Sequence, residues 1–277
     1  TFVKGIKDGR QEIIVCDNNF HGRTITIVTM STDPGARRGF APFTPGFVKI
    51  PYGDAAALEA AINQNTAAFL FEPIQGEAGV IVPPDGYLKQ VREICTRHNI
   101  LMIADEVQTG LARTGDMFAC EHEAVEPDIY VLGKALGGGI MPVSAIAADR
   151  EILSVYEPGS HGSTFGGNPL ACAVAIKAME ILRRDDYPKM AREKGEYFTD
   201  ALKNINNPDI IDIRGRGLLI GVEFNCDAAP YVEKLIENGV LAKETHERTI
   251  RFAPPVTIGY EELDEALARI KKALEKV

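Results

Sequence analysis

Three apolar runs in this chain each end in a group that can exchange a proton or form a covalent bond. "AAFLFE" closes on Glu72, "LMIADE" on Asp105–Glu106, and "DIYVLGK" on Lys134. A single lysine in a turn is ordinarily a surface residue. Three such groups on three separate strands are harder to assign to solvation alone, because ligands of open α/β sheets bind beyond the carboxyl ends of the strands. A lysine held against apolar walls loses charge, since desolvation disfavours the ammonium form. The neutral amine can then attack a carbonyl and form a Schiff base. The glycines Gly137–Gly139 that follow would let a bulky group come close to the backbone. A carboxylate ending a buried strand costs free energy unless it is paired. A pyridinium nitrogen is a suitable partner for Asp105, and the pair would keep such a ring protonated as an electron sink.

The elements that must position these groups alternate along the chain. Glu12–Cys16, Phe47–Ile50, "AAFLFEPI", "ILMIADEV", "DIYVLG" and "PVSAIAA" read as strands, with Ile129–Leu132 expected to be buried. "GDAAALEAAINQN", with Asp54 near its start, and "DGYLKQVREICTRHN", with Leu88, Val91, Ile94 and Cys95 on one face, read as helices. Strand, helix, strand at this spacing predicts an α/β fold with a largely parallel sheet covered on both faces. Beyond Asn168 the pattern shifts to long helices. "IIDIRGRGLLIGVEF" predicts an antiparallel pair turning at Gly215–Gly217, followed by the helix "APYVEKLIENG" and the strand "TIRFAPP". In the last helix Leu263, Leu267, Ile270 and Leu274 form a stripe at helical spacing. The chain is expected to divide into a large α/β domain over 1–186 and a smaller α+β domain over 187–277.

Composition narrows the partners. Of 277 residues, 45% are hydrophobic and 25% charged, as in a soluble globular protein. A net charge of −9 disfavours nucleic acid or an anionic membrane surface, both of which need a basic face. Five scattered cysteines with no CxxC pair argue against a disulfide framework or a zinc site and for a reducing cytoplasm. No apolar run reaches bilayer-spanning length.

Competing motifs fail on particular residues. A phosphate-binding P-loop needs GxxxxGK[ST], but Asp128 stands in place of its first glycine and Ala135 follows the lysine. "RGRGLLIG" is not GxGxxG. "HEAVE" carries Glu126 where a zinc-binding HExxH helix needs histidine. "SHGSTFGGNP" around Ser163 and Thr164 is rich in hydroxyl and glycine residues. It suits an anion such as phosphate, or equally a turn that caps the helix at Asn168.

Taken in order, "EPIQGEAGV", "ADEVQTGLARTG", "LGKALGGG" and "HGSTFGGNPLA" resemble the class III aminotransferases, from about Glu12 to the C-terminus. The resemblance implies the type I fold of pyridoxal-phosphate enzymes and a homodimer with shared active sites. It implies that Lys134 holds pyridoxal 5'-phosphate covalently and then moves the substrate proton. Asp105 would pair with the pyridine nitrogen, Val107 would pack on one ring face and Gln108 would reach the phenolic oxygen. Phe20 would stack on the other face with His21 beside it. Thr164, with Ser163, would bind the phosphate of the neighbouring subunit's cofactor.

Within the family, "NNFHGRT" and "IRFAPP" are most similar to members that take ornithine by its δ-amine and then 2-oxoglutarate by its keto group. Acetylornithine and 4-aminobutyrate enzymes share much of the same signature. The resemblance implies that Arg23 holds a substrate carboxylate, with Glu72 among the substrate contacts. It also implies that Glu77 masks Arg251 in the first half-reaction and releases it for 2-oxoglutarate in the second. A bidentate arginine–carboxylate pair is strong enough for this and still reversible.

Family chains begin well upstream of the position of Thr1, with a segment that carries tyrosines contacting substrate and a phosphate-binding turn. The opening of this chain reads as the tail of a helix. Two expectations follow: the remainder is supplied by another segment, or the chain alone is an inactive fragment.

Overall fold

The computed structural model describes residues 2–3, 6–7 and 9–275, with the side chains described from residue 9 onward. It divides into two compact units. One comprises Thr1–Pro73, Pro83–Gln108 and Cys120–Ile181; the other comprises Ile74–Val82, Thr109–Ala119 and Leu182–Val277.

In the first unit, β1 (Phe2–Val3) and β2 (Ile6–Lys7) pair antiparallel. The helical tail expected at the opening is therefore replaced by strands, in keeping with the β-favouring Phe2, Val3 and Ile6. There follow β3 (Glu12–Cys16), α1 (Ile25–Met30), α2 (Pro34–Arg37), β4 (Phe47–Ile50), α3 (Ala55–Ala61), β5 (Thr66–Phe71), α4 (Tyr87–Arg97) and β6 (Leu101–Asp105). Then come β7 (Ile129–Leu132), β8 (Ala145–Ala148), α5 (Arg150–Leu153) and α6 (Pro169–Arg184), whose last turn passes into the second unit. The strands form one six-stranded sheet in the order β4-β3-β5-β6-β7-β8. All neighbours are parallel except β7 and β8.

The sheet is buried at its centre because its central strands carry apolar residues on both faces. Every residue of β5 is buried. Ile14, Cys16, Phe69 and Phe71 join Leu88, Val91, Ile94 and Cys95 of α4 and Leu58 of α3 in one core. Val15 and Leu70 pack with Met30 in another cluster. Asp54 caps α3 by accepting from the Ala57 N–H at 2.8 Å. The expectation of a buried Ile129–Leu132 strand holds only for Leu132; the other three residues are half-buried. Beside it at the sheet edge, β8 is more open still, with Ala145, Ile146 and Ala147 exposed.

The second unit contains α7 (Tyr187–Lys203), β9 (Ile210–Arg216), β10 (Leu219–Phe224), α8 (Ala229–Glu237), β11 (Lys243–Thr245), β12 (Thr249–Phe252) and α9 (Tyr260–Leu274). Its antiparallel sheet runs β11-β12-β10-β9. Phe198 and Leu202 of α7, Leu235 of α8, and Leu263, Ile270 and Leu274 of α9 cover Ile220, Val222 and Ile250. The turn between β9 and β10 is tighter than expected. Gly215 is paired with Ile220 inside the ladder, and only Gly217 and Leu218 lie outside it. Gly217 has φ +52, and a Cβ there would lie 2.5 Å from the Thr114 carbonyl carbon. Backbone meets backbone at this turn, which only glycine allows. The short β11 was not anticipated from the sequence.

Candidate active site

The carboxyl edge of the parallel sheet gathers one chemical group set. Asp105 ends β6 and is buried. Its Oδ1 accepts from the Val107 N–H at 3.1 Å, and its Oδ2 from His21 Nδ1 at 2.7 Å. Nδ1 carries the hydrogen, because an ionised carboxylate can only accept. The His21 side chain is 3% exposed, and its Nε2 is buried with no hydrogen-bond partner among the described residues. Such an orphaned polar atom costs free energy. Beside a carboxylate held by one donor on each oxygen, it marks a place built for a polar group.

The neighbouring Glu106 faces another way. Its Oε1 accepts from the Cys120 N–H at 3.0 Å, so this buried carboxylate anchors the chain's return toward β7. Glu72, beyond β5, is also buried, and its Oε2 accepts from the Phe20 N–H at 3.0 Å. It thereby fixes the loop after β3 that carries Phe20 and His21. Arg23 on the same loop is exposed, its guanidinium carbon 5.3 Å from the centre of the Phe20 ring.

Register places Asp105 opposite Val131, and Lys134 follows three residues later. Gly133 packs against Val107, where a Cβ would come within 3.3 Å of Val107 Cγ1. Lys134 opens a 3-10 turn with φ +44. A non-glycine residue in that region costs on the order of 1–2 kcal/mol, and strain of this kind gathers at functional positions. Lys134, expected against apolar walls, is exposed among the described residues. Gly138 has φ +57 and Gly139 φ +74, so these glycines answer to the backbone turn. Gln108, next after Val107, is half-buried. Ser163 and Thr164 are exposed, and Ser163 Oγ accepts from the Gly166 N–H at 3.0 Å.

The second unit holds a cluster of charged groups. The Gln75–Ile81 bridge closes a tight loop bearing Glu77. Arg214 donates to the carbonyls of Gly79 and Val80, and Thr245 Oγ1 donates to the Glu77 carbonyl. Glu77 Oε1 accepts from Arg251 Nη1 at 2.6 Å, and Oε2 from Lys243 Nζ at 3.0 Å. Burial alone raises the Glu77 carboxyl. The bonds and charges of Arg251 and Lys243 outweigh it and lower the group to about 2. Sequence reading missed Lys243. Its signal lay in the spacing: Lys243 and Arg251 stand symmetrically about Glu247 in "KETHERTIR".

The chain belongs to the class-III aminotransferase family, whose model matches residues 2–274. Among curated relatives it is 60% identical over 272 residues to an ornithine aminotransferase of Brevibacillus brevis, covering 98% of this chain and 68% of that protein. To the ornithine aminotransferase of Bacillus subtilis it is 57% identical, with the same coverage. An ornithine aminotransferase structure from Toxoplasma gondii matches with a TM-score of 0.95 at 47% identity, over 98% of this chain and 66% of that one. An acetylornithine aminotransferase structure from Elizabethkingia anophelis matches with a TM-score of 0.85 at 50% identity, over 98% and 69%. The chain thus spans about two thirds of the length of the relatives it matches. Among the described residues no helix is long and apolar enough to cross a membrane, and no cluster of residues could hold a metal ion.

Proposed function

We propose that this protein transfers the δ-amino group of L-ornithine to 2-oxoglutarate. The products are glutamate, and glutamate 5-semialdehyde, which cyclises to pyrroline-5-carboxylate. The observation that carries this reading is the Glu77–Arg251 pair at 2.6 Å. An enzyme that must hold ornithine by its distal amine and then a keto-diacid by its α-end needs an arginine that can be masked and released.

The residues of the first unit suit pyridoxal 5'-phosphate. Asp105 offers a buried carboxylate for the ring nitrogen, and Lys134 an exposed amine at the same sheet edge. When bound, the cofactor supplies an electron sink for the carbon that loses its proton. Lys134 would anchor it and would afterwards take and return that proton at Nζ. Val107 and Phe20 would pack against its ring, Gln108 would bond its phenolic oxygen, and Ser163 and Thr164 would bind a phosphate across a homodimer. Arg23 holds the ornithine carboxylate while Glu77 neutralises Arg251, which discourages binding of ornithine by its α-end. Exposed Ile140 and Phe165 support a covered face and hence a second copy. Five free cysteines support a cytoplasmic location.

The 50% identity to an acetylornithine aminotransferase keeps a second reading open, with acetylornithine or 4-aminobutyrate as the amine. Separate half-reaction rates with the three amines decide. Ornithine is expected to react fastest; a faster rate with either of the others would replace this assignment.

A further inference from the structure

Lys243 and Arg251 are directly opposed across β11 and β12. Like charges in that position repel. Here the Glu77 carboxylate joins them, giving one oxygen to each cation. The two cations differ in setting: the Arg251 side chain is 14% exposed and that of Lys243 63%. The Glu77 backbone is pinned by Thr245, and the carbonyls just after it are clamped by Arg214. Motion of Glu77 is therefore confined to its side chain, and the outward direction leads to Lys243.

We propose that Lys243 sets keto-acid specificity by keeping hold of the Glu77 carboxylate when a substrate carboxylate takes Arg251. This rests on the functional reading above. With Arg251 and Glu77 paired, the carboxylate has two cations, and losing Lys243 leaves it the stronger one. With Arg251 given over to the substrate, Lys243 is the cation already within reach. Removing Lys243 therefore penalises the released state more than the masked state. The dicarboxylate must then work harder to displace Glu77, while the ornithine half-reaction is spared.

The test is K243Q and K243R in the holoenzyme, with each half-reaction measured separately. K243Q is expected to raise the KM for 2-oxoglutarate roughly three- to fivefold, the scale of an exposed ion pair. The ornithine half-reaction should stay within about 1.5-fold of wild type, K243R should restore the KM, and added salt should shrink the effect. In an E77A background K243Q should have no further effect. A wild-type protein that does not convert ornithine and 2-oxoglutarate overturns the functional reading and this inference together. A normal wild type with an unchanged KM in K243Q, or the same KM shift in E77A, overturns this inference alone.

Discussion

Arg251 donates to the Glu77 carboxylate at 2.6 Å although the two residues lie 174 positions apart in the chain. The loop bearing Glu77 and strand β12 belong to one compact unit, so the pair is a product of topology. Replacing Glu77 with Ala leaves the Arg251 guanidinium available to ornithine's α-carboxylate. The expected result is a rise in α- relative to δ-transamination of ornithine, read from the two distinct products. Unchanged regiochemistry would refute the masking role.

The same pair has a pH signature. The Glu77 carboxyl is lowered from 4.5 to about 2, so its contribution to stability is present above about pH 4.5 and lost as pH falls toward 2. After discounting for partial exposure this amounts to roughly 2 kcal/mol. Wild type should exceed E77Q in stability at pH 6, and the gap should close in acid. Denaturant midpoints across that range would show it; a gap independent of pH would contradict the ion pair.

Lys134, the proposed cofactor anchor, has an unfavourable backbone, φ +44. Both K134A and K134G should lose covalent cofactor attachment. They should differ in stability, because glycine relieves the left-handed strain and alanine does not. K134G should be the more stable by about 1 kcal/mol, a melting difference of roughly 2–4 °C. Equal melting temperatures would argue that the position is unstrained.

His21 donates to one oxygen of Asp105, and the Val107 N–H to the other. Removing the His21 donor with H21L should weaken cofactor affinity by roughly tenfold, the scale of one hydrogen bond to a charged group. H21N, whose amide can stand in for Nδ1, should recover much of it. Equilibrium dialysis of the cofactor measures this without turnover. Identical affinities for wild type, H21L and H21N would show that the contact is incidental.

Burial pushes the thiols of Cys16 and Cys120 well up, whereas Cys226 is exposed. A thiol reagent at pH 8 should label Cys226 quickly, and Cys16 and Cys120 only on unfolding. Mass spectrometry of the labelled peptides reads this directly. Fast labelling of Cys16 would mean that the core around β3 opens readily.

Candidate residues were legible where they followed an apolar run. Asp105 and Lys134 could be singled out as candidates because a polar group ending such a run needs a reason. Partnership at long range was not legible. Glu72 and Glu106 look like Asp105 in sequence, yet their carboxylates support backbone at Phe20 and Cys120. Only the fold determines which way each one turns. Lys134 was expected to be walled in, but burial depends on what lies over the faces of a strand, and β7 before it is fully buried only at Leu132. The turn at Gly217 was displaced from its expected centre because ladder pairing extends through Gly215. Lys243 escaped notice because a three-residue strand carries too little pattern to register.

The most direct test of the account is the absorbance spectrum of the protein with pyridoxal phosphate, before and after ornithine, in wild type and K134A. The account predicts a visible cofactor band in wild type that ornithine removes and 2-oxoglutarate restores, and no such band in K134A. A band that persists in K134A, or one that ornithine leaves unchanged, would contradict it.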